Sequence, residues 1–229
     1  MAEKSASTAA LYLKMGNILN KPRSDVEKRK VEEILSGDLT LEEKKVLIER
    51  MDRKSRELAI RERFQKLLAT SQDIKLREHL EAIRRETESG ERTNLASTAS
   101  LRVLLVDDLT YITKTVSYML QKENFIVHVA KNGAEGIILF MNFLPDIVIT
   151  DIRLPDFNGM VLVKIIRKLD ENVPIIFITA NDMDTDVGKE LDLDIKHIDL
   201  IKNRMAYLLK PIQKEVILQT IYDMLKVSQ

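Results

Sequence analysis

Five short apolar runs alternate with helical patterns between residues 101 and 229, and this alternation constrains the fold more than any other feature. The runs are residues 101–106, 125–130, 146–150, 174–179 and 206–209, and the helical patterns are residues 110–122, 133–143, 158–169, 186–202 and 212–226. Short, β-branched, nearly continuous apolar runs are typical of parallel strands that are covered on both faces. The pattern predicts an α/β fold with a doubly wound, five-stranded parallel sheet. In such folds ligands bind at the carboxyl ends of the strands.

The composition excludes several kinds of protein. The chain is 45% hydrophobic, which allows a proper core, and it contains no cysteine. Disulfide frameworks, thiolate metal sites and cysteine nucleophiles are therefore excluded. No apolar run reaches the roughly 20 residues that cross a bilayer, and the first residues lack the apolar stretch of a signal peptide. We expect a cytoplasmic protein without membrane insertion.

Residues 1–88 show a different pattern and predict an all-α N-terminal region. Ser24 is a candidate N-cap, and Gly37 is a candidate for the left-handed residue after the first helix. Thr40 and Glu43 have the spacing of a capping box that starts a second helix. A third helical segment starts at Ser71 and places Leu76, Leu80 and Ile83 on one face.

The second helix is rich in charge, and its predicted apolar stripe follows Leu47, Met51, Leu58 and Leu68. Charged residues interrupt this stripe, so a small bundle, or helices that dimerise or dock on a partner, is favoured over a long coiled coil. Residues 86–100 are polar and aperiodic, which indicates a linker. We therefore predict a helical region at residues 1–88, a linker at 89–100 and an α/β domain at 101–229.

Polar side chains follow four of the predicted strands. Asp107 and Asp108 come after the first strand and Asp151 after the third, while Thr179 and Lys210 come at the ends of the fourth and fifth. Three carboxylates in one crevice repel each other unless a cation is present. Oxygen ligands suit Mg²⁺. Asp151 is then placed as a nucleophile for phosphoryl transfer, and Thr179 and Lys210 as partners of phosphoryl oxygens.

Four motifs give a resemblance to a known family. VLLVDD, VITDIRLPDFNGM, FITAND and YLLKP occur in the order found in the receiver domains of two-component response regulators, which have the flavodoxin-like fold of the chemotaxis protein CheY. The resemblance implies that Asp151 is the phosphoacceptor. It also implies that Asp108, Asp151 and the backbone carbonyl of Arg153 bind Mg²⁺, with Asp107 assisting.

The resemblance assigns further roles at the fourth and fifth strands. Thr179 and Tyr207 correspond to the hydroxyl and aromatic switch residues, Lys210 to the phosphate-contacting lysine, and the bond before Pro211 to a cis peptide. The implied donor is a sensor histidine kinase or a phosphotransfer protein. The only chemistry expected is the chain's own phosphorylation and dephosphorylation, so we do not expect a separate enzyme activity.

The stretch between Thr179 and Lys210 is longer than the family's usual interval. It begins with Asp182, Asp184 and Asp186, which lack the spacing of a calcium loop, and continues as a predicted atypical fourth receiver helix. The small Gly-Ala pair common before the fifth strand is replaced by Asn203-Arg204, with Asn203 expected to adopt the left-handed backbone. The usual partner surface of receivers therefore cannot be assumed.

Three outputs remain open from the sequence. The leading hypothesis is that phosphorylation switches protein–protein contacts or oligomeric state, with an effector protein or a second copy as partner, through the fourth receiver helix and the N-terminal helices. The alternative is a DNA-binding transcription regulator; the interleaved acids and bases of residues 71–85 disfavour a recognition helix, so DNA is not expected. A third is an adaptor that captures a kinase or scaffold. His79 is interpreted as a surface residue, and His128 and His197 receive no role.

Overall fold

The computed structural model describes residues 23–71, 74–89, 100–156, 158–179 and 204–226. The helices are α1 (Asp25–Ser36), α2 (Leu41–Thr70), α3 (Ile74–Ser89), α4 (Thr110–Gln121), α5 (Gly133–Phe143), α6 (Gly159–Leu169) and α7 (Lys214–Lys226). The strands are β1 (Arg102–Val106), β2 (Ile126–Ala130), β3 (Ile147–Asp151), β4 (Ile175–Thr179) and β5 (Met205–Leu209). All five strands were predicted within a residue of these bounds. The predicted helix at 186–202 and most of the predicted linker lie outside the described residues.

The five strands form one parallel sheet in the order β2-β1-β3-β4-β5. The order reverses between β1 and β3, so the carboxyl ends of these two strands flank the crevice in which doubly wound folds bind ligands. The predicted α/β fold with a doubly wound five-stranded sheet is confirmed. Every residue of β1 and β3 is buried, as expected for strands covered on both faces.

Two apolar clusters cover the two faces of the sheet. One face carries Val103, Leu105, Ile147 and Ile149 and packs against side chains of α4 and α7. The other carries Leu104, Val106, Val148 and Phe177 and packs against α5 and α6. The alternation along each strand places neighbouring residues on opposite faces, so both layers are needed to remove the sheet from water.

The chain divides into two compact units, residues 1–56 with 227–229 and residues 57–226. Helix α2 therefore contributes residues to both. Because residues 90–99 are not described, the predicted division at 89–100 stays a prediction. In the described residues, no helix combines the length and apolar character needed to cross a membrane. The cytoplasmic location predicted from the sequence stays a prediction.

The predicted starts of α1 and α2, both in the first of these units, are confirmed. Ser24 caps α1 in a reciprocal box with Glu27, and the amide of Glu43 donates to the Thr40 hydroxyl while the Glu43 carboxylate accepts from the Thr40 amide. Gly37 was predicted to be left-handed, which is wrong: its φ is −72°. A small cluster holds α1 against α2, with Val31 and Ile48 buried. Lys44 Nζ also donates to the carbonyl of Leu35 at 2.9 Å, near the end of α1.

The predicted apolar stripe of α2 is wrong at two positions. Leu47 and Leu58 are 38% and 54% exposed, whereas the buried side chains among those described for this helix are Ile48, Ile60, Phe64, Leu67, Leu68 and Lys44. In α3 the predicted face is confirmed at Leu80 and Ile83, which are buried. The side chains of Leu76 and His79 lie outside the described residues.

Candidate functional site

The first functional side chains lie at the end of β1. Asp107 is fully buried and Asp108 is exposed. The amide of Leu109 donates to Asp107 Oδ1 at 2.8 Å, which fixes that carboxylate beside the start of α4. The amide of Asp107 donates to the carbonyl of Ala130 at 3.1 Å. The end of the apolar strand thus aims one carboxylate into the crevice and leaves the next facing solvent.

Asp151 is the last residue of β3 and is 7% exposed. The amide of Arg153 donates to Asp151 Oδ1 at 3.2 Å, so the following loop turns back on the carboxylate. Carboxylate oxygens of Asp107, Asp108 and Asp151 lie within 4.8 Å of one another. The predicted acidic cluster is therefore brought together by the sheet.

Lys210 completes this group from the end of β5. Its Nζ donates to Asp107 Oδ2 at 2.8 Å and to Asp151 Oδ2 at 2.5 Å. The Lys210 amide donates to the carbonyl of Thr179 at 2.8 Å, and the Lys210–Pro211 peptide is cis, as the family resemblance implied. One ammonium thus bridges the ends of β1 and β3.

Burial and pairing act against each other in this cluster. Burial raises the pKa of the Asp107 carboxyl, against the opposing effect of hydrogen bonds from Lys210 and the Leu109 amide. Burial by itself would lower the pKa of the Lys210 ammonium, but hydrogen bonds to Asp107 and Asp151 and the charges of these carboxylates together outweigh burial, so the pKa is raised. Lys210 therefore stays a cation at neutral pH, held between two carboxylates.

The three carboxylates fit a Mg²⁺ ion. They offer three oxygen atoms close enough to share one cation, and Asp108 leaves one side of the cluster open to water. Mg²⁺ commonly keeps several waters and takes few protein carboxylates. The carbonyl of Arg153, also predicted as a ligand, is in the loop directly after Asp151. Its coordination stays a prediction.

The predicted switch residues lie on β4 and β5. Thr179 ends β4 and is partly buried. The ring of Tyr207 is also partly buried and stacks on Phe177, with ring centroids 4.9 Å apart and an interplanar angle of 16°. Tyr207 therefore packs with the apolar cluster that α5 and α6 cover. The switch roles of both residues stay predictions.

Two residues between the end of β3 and the first turn of α6 were given no role from the sequence. Asp156 accepts hydrogen bonds from the amides of Gly133 and Ala134 at 2.9 and 2.8 Å, and so caps the start of α5 in addition to Asn132. Gly159 donates from its amide to the carbonyl of Ile152 at 2.7 Å. The Asn158-Gly159 pair at the start of α6 was a signal for a tight backbone approach, whereas the reach of Asp156 across to another helix has no sequence signal.

Comparison with known proteins agrees with this geometry. The family model for the response regulator receiver domain matches residues 103–222, which is just over half of the chain. The chain belongs to the response regulator receiver domain family. The matched residues include the receiver's acidic cluster, Lys210 and both predicted switch residues.

The match covers very different fractions of the length of individual relatives. Protein PilH of Pseudomonas aeruginosa is 32% identical over 124 residues, which cover 52% of this chain and 93% of PilH. The transcriptional regulatory protein TrcR of Mycobacterium tuberculosis is 38% identical over 91 residues, covering 40% of this chain but 35% of TrcR. The chain thus spans only about a third of that regulator.

Solved structures include similar receivers. The chemotaxis response regulator CheY4 of Vibrio cholerae is 25% identical, with a TM-score of 0.45, covering 55% of this chain and 99% of CheY4.

Proposed function

We propose that this chain is a phosphorylation-controlled signalling protein that accepts a phosphoryl group on Asp151 from a histidine kinase or a phosphotransfer protein. The observation that carries the proposal is the joint placement of three carboxylates and Lys210 at the carboxyl ends of β1, β3 and β5. This is the arrangement that in-line phosphoryl transfer needs, since catalysis there consists mainly of positioning and charge stabilisation.

In the proposed step, an oxygen of the Asp151 carboxylate attacks the phosphorus of a phosphohistidine. The P–O bond to Asp151 forms, the P–N bond breaks, and the donor imidazole keeps the electron pair. The Lys210 ammonium gives up its hydrogen bond to the Asp151 carboxylate and donates to a phosphoryl oxygen, where negative charge develops. The hydroxyl of Thr179 donates a hydrogen bond to a second phosphoryl oxygen. Asp107, Asp108 and Asp151 would hold Mg²⁺, which supplies positive charge to the phosphoryl oxygens. Hydrolysis of the acyl phosphate by water resets the site, and we propose no other enzyme activity.

The output we propose is a change in protein–protein contacts. The N-terminal helices and the stretch between Thr179 and Lys210 would change partner or oligomeric state, with an effector protein or a second copy of the chain as partner. Segments that can adopt two conformations are switched in this way by a local change of charge and packing, such as phosphorylation.

A second candidate is transcriptional control, because TrcR and several other relatives are named transcriptional regulators. Helix α3 carries Arg77, Arg84 and Arg85 beside Glu78 and Glu81 and buries Leu80 and Ile83, so we do not expect it to enter a DNA groove. Salt-sensitive retention of the phosphorylated chain on duplex DNA would favour this candidate over the protein–protein output.

The test is binding of beryllofluoride, which mimics an acyl phosphate, to the full-length chain with and without Mg²⁺. We expect saturable, Mg²⁺-dependent binding that Asp151→Ala abolishes. Glu171→Ala is the control, since Glu171 is an exposed acidic residue in the turn before β4. Failure of the wild-type chain to bind, or unchanged binding by Asp151→Ala, would overturn the assignment.

A further inference from the structure

Residues 57–89, which we name the docked segment, share an apolar core with the receiver. Six of their side chains are at most 9% exposed and belong to the cluster that contains α5 and α6: Ile60, Phe64, Leu67, Leu68, Leu80 and Ile83. Because burial removes these large apolar side chains from water, it favours the state in which the segment is packed on the receiver. The segment therefore packs as a further layer over the receiver. Side-chain contacts hold it there in addition to the covalent connection of the backbone.

A directed polar contact fixes the position of α2 on this layer. Arg63 Nη1 donates to the carbonyl of Leu169 at 2.9 Å. Leu169 is the last residue of α6, where helix carbonyls have no partner within the helix and attract cations. The contact thus satisfies an orphan acceptor of the receiver with a side chain of the docked segment.

Helix α5 lies between the docked segment and the phosphoacceptor site. On its outer side it packs against α3. On its inner side Gly136 allows close approach to β1: a Cβ at Gly136 would lie 3.3 Å from Cγ2 of Val106, the residue before Asp107. At its start, the amides of Gly133 and Ala134 bind Asp156 of the loop that follows Asp151.

We propose that the docked segment controls the receiver site by holding α5, and through Asp156 the loop after Asp151, in the conformation that binds an acyl phosphate. If the segment is loosened, α5 and the loop become free to adopt more conformations, and the bound phosphoryl group must order them at a cost in affinity. By reciprocity, occupation of the site changes the protection of α3 against exchange. This inference rests on the proposed phosphoacceptor function and adds its intramolecular regulator.

The first experiment compares two leucines of the docked segment in the full-length chain. Leu80 is fully buried in α3, whereas Leu58 is 54% exposed in α2. We expect Leu80→Ala to weaken Mg²⁺-dependent beryllofluoride binding by about 3- to 10-fold, which lies within the range for coupling through a packed network, and Leu58→Ala to keep wild-type affinity. Hydrogen exchange of α3 and α5, measured on the same samples, reports whether the segment has loosened.

A second pair avoids a cavity in the core. Arg63→Ala removes the contact to Leu169, whereas Arg61→Ala removes only an ion pair to Glu57 within α2. We expect faster exchange in the docked segment and about 2- to 3-fold weaker beryllofluoride binding for Arg63→Ala, and neither change for Arg61→Ala. If Leu80→Ala does not fold, the comparison of Arg63→Ala with Arg61→Ala tests whether the docked segment controls the affinity of the receiver site.

The outcomes separate the two levels of the proposal. A wild-type chain that does not bind beryllofluoride contradicts the phosphoacceptor function itself. A wild-type chain that binds, beside an Arg63→Ala variant with faster exchange in α3 and unchanged affinity, overturns the control by the docked segment alone. Beryllofluoride that leaves exchange in α3 unchanged in the wild type also overturns it.

Discussion

Gly159 packs directly on the backbone of Asp151: a Cβ on Gly159 would lie 2.1 Å from the Asp151 carbonyl oxygen. Real Cβ atoms do not approach an oxygen so closely, and the clash is with main chain, which cannot rotate away as a side chain does. The first turn of α6 can therefore pack this closely on the end of β3 only because Gly159 has no side chain.

We expect Gly159→Ala to displace the loop after Asp151 and to destabilise the fold by about 2 kcal/mol, within the range for overpacking. Thermal unfolding gives the change in stability, and a Mg²⁺ titration shows the loss at the site. Gly37→Ala is the control, since a Cβ there would meet only main-chain oxygens at an ordinary 3.6 Å. A Gly159→Ala variant with wild-type stability and Mg²⁺ affinity would contradict the argument.

The bridge from Lys210 to Asp107 and Asp151 predicts competition with Mg²⁺. Without the ammonium, two buried carboxylates face each other, and breaking a buried pair leaves uncompensated charge. We expect Lys210→Met to lose about 1–3 kcal/mol of stability without metal, less than a fully buried pair because the cluster is open at Asp108. Added Mg²⁺ should then raise the melting temperature more in this variant than in the wild type.

The measurement is thermal unfolding over a series of Mg²⁺ concentrations. Lys214→Met serves as a control, because Lys214 pairs with a different carboxylate, Glu123, and both side chains of that pair are partly exposed. An equal Mg²⁺-dependent shift in wild type and Lys210→Met would show that the ammonium and the metal do not compete for the same carboxylates.

The placement of the site residues could be predicted from the sequence, because these residues lie at strand ends. Once the five strands are recognised, parallel pairing alone brings Asp107, Asp151 and Lys210 to one edge. The packing of the docked segment could not be derived in this way, since the charged pattern of α2 suggested a stripe through Leu47 and Leu58, both exposed in the structure.

One signal for that packing was nevertheless present. Helix α5 is apolar on almost every side, and Ile138 and Leu139 are packed against the cluster in addition to its buried face. A helix that is apolar all round is covered on both sides. What covers it was not predictable, because the match between two distant helical surfaces is a tertiary property without a local pattern.

His128 predicts a pH dependence of stability. Burial, together with the nearby charge of Arg102, lowers the pKa of its imidazole, whose ring stacks on Phe143 with centroids 3.9 Å apart. The folded state therefore binds protons more weakly than the unfolded state. Stability is fully present above the unfolded pKa near 6.5 and declines as the pH falls from there towards the lowered folded pKa.

The check is denaturant unfolding at several pH values between about 7 and 5 for wild type and His128→Phe. We expect the wild type to lose more stability on acidification than the variant, since a phenylalanine can keep the stacking but cannot take up a proton. Groups common to both proteins cancel in the difference. Parallel pH profiles would show that His128 titrates alike in the folded and unfolded states.

The turn before β5 gives a prediction about backbone strain. The sequence suggested Asn203 for a left-handed residue; Asn203 lies outside the described residues, and Arg204 has a φ of 52°. A side chain in this region costs roughly 1 kcal/mol relative to glycine. Arg204 is held there by interactions of both main chain and side chain: its carbonyl accepts from the amide of Ile175, and its Nη2 donates to the carbonyl of Met224 at 3.2 Å.

Two substitutions separate these contributions. Arg204→Ala removes the guanidinium contact and keeps the strain, whereas Arg204→Gly removes both. We therefore expect Arg204→Gly to be about 1 kcal/mol more stable than Arg204→Ala, in spite of the greater freedom of glycine in the unfolded chain. The free energies of unfolding of the two variants, measured under the same conditions, give this difference directly. A glycine variant less stable than the alanine variant would mean that Arg204 does not need the left-handed backbone, and that the turn into β5 can relax when the guanidinium contact to α7 is lost.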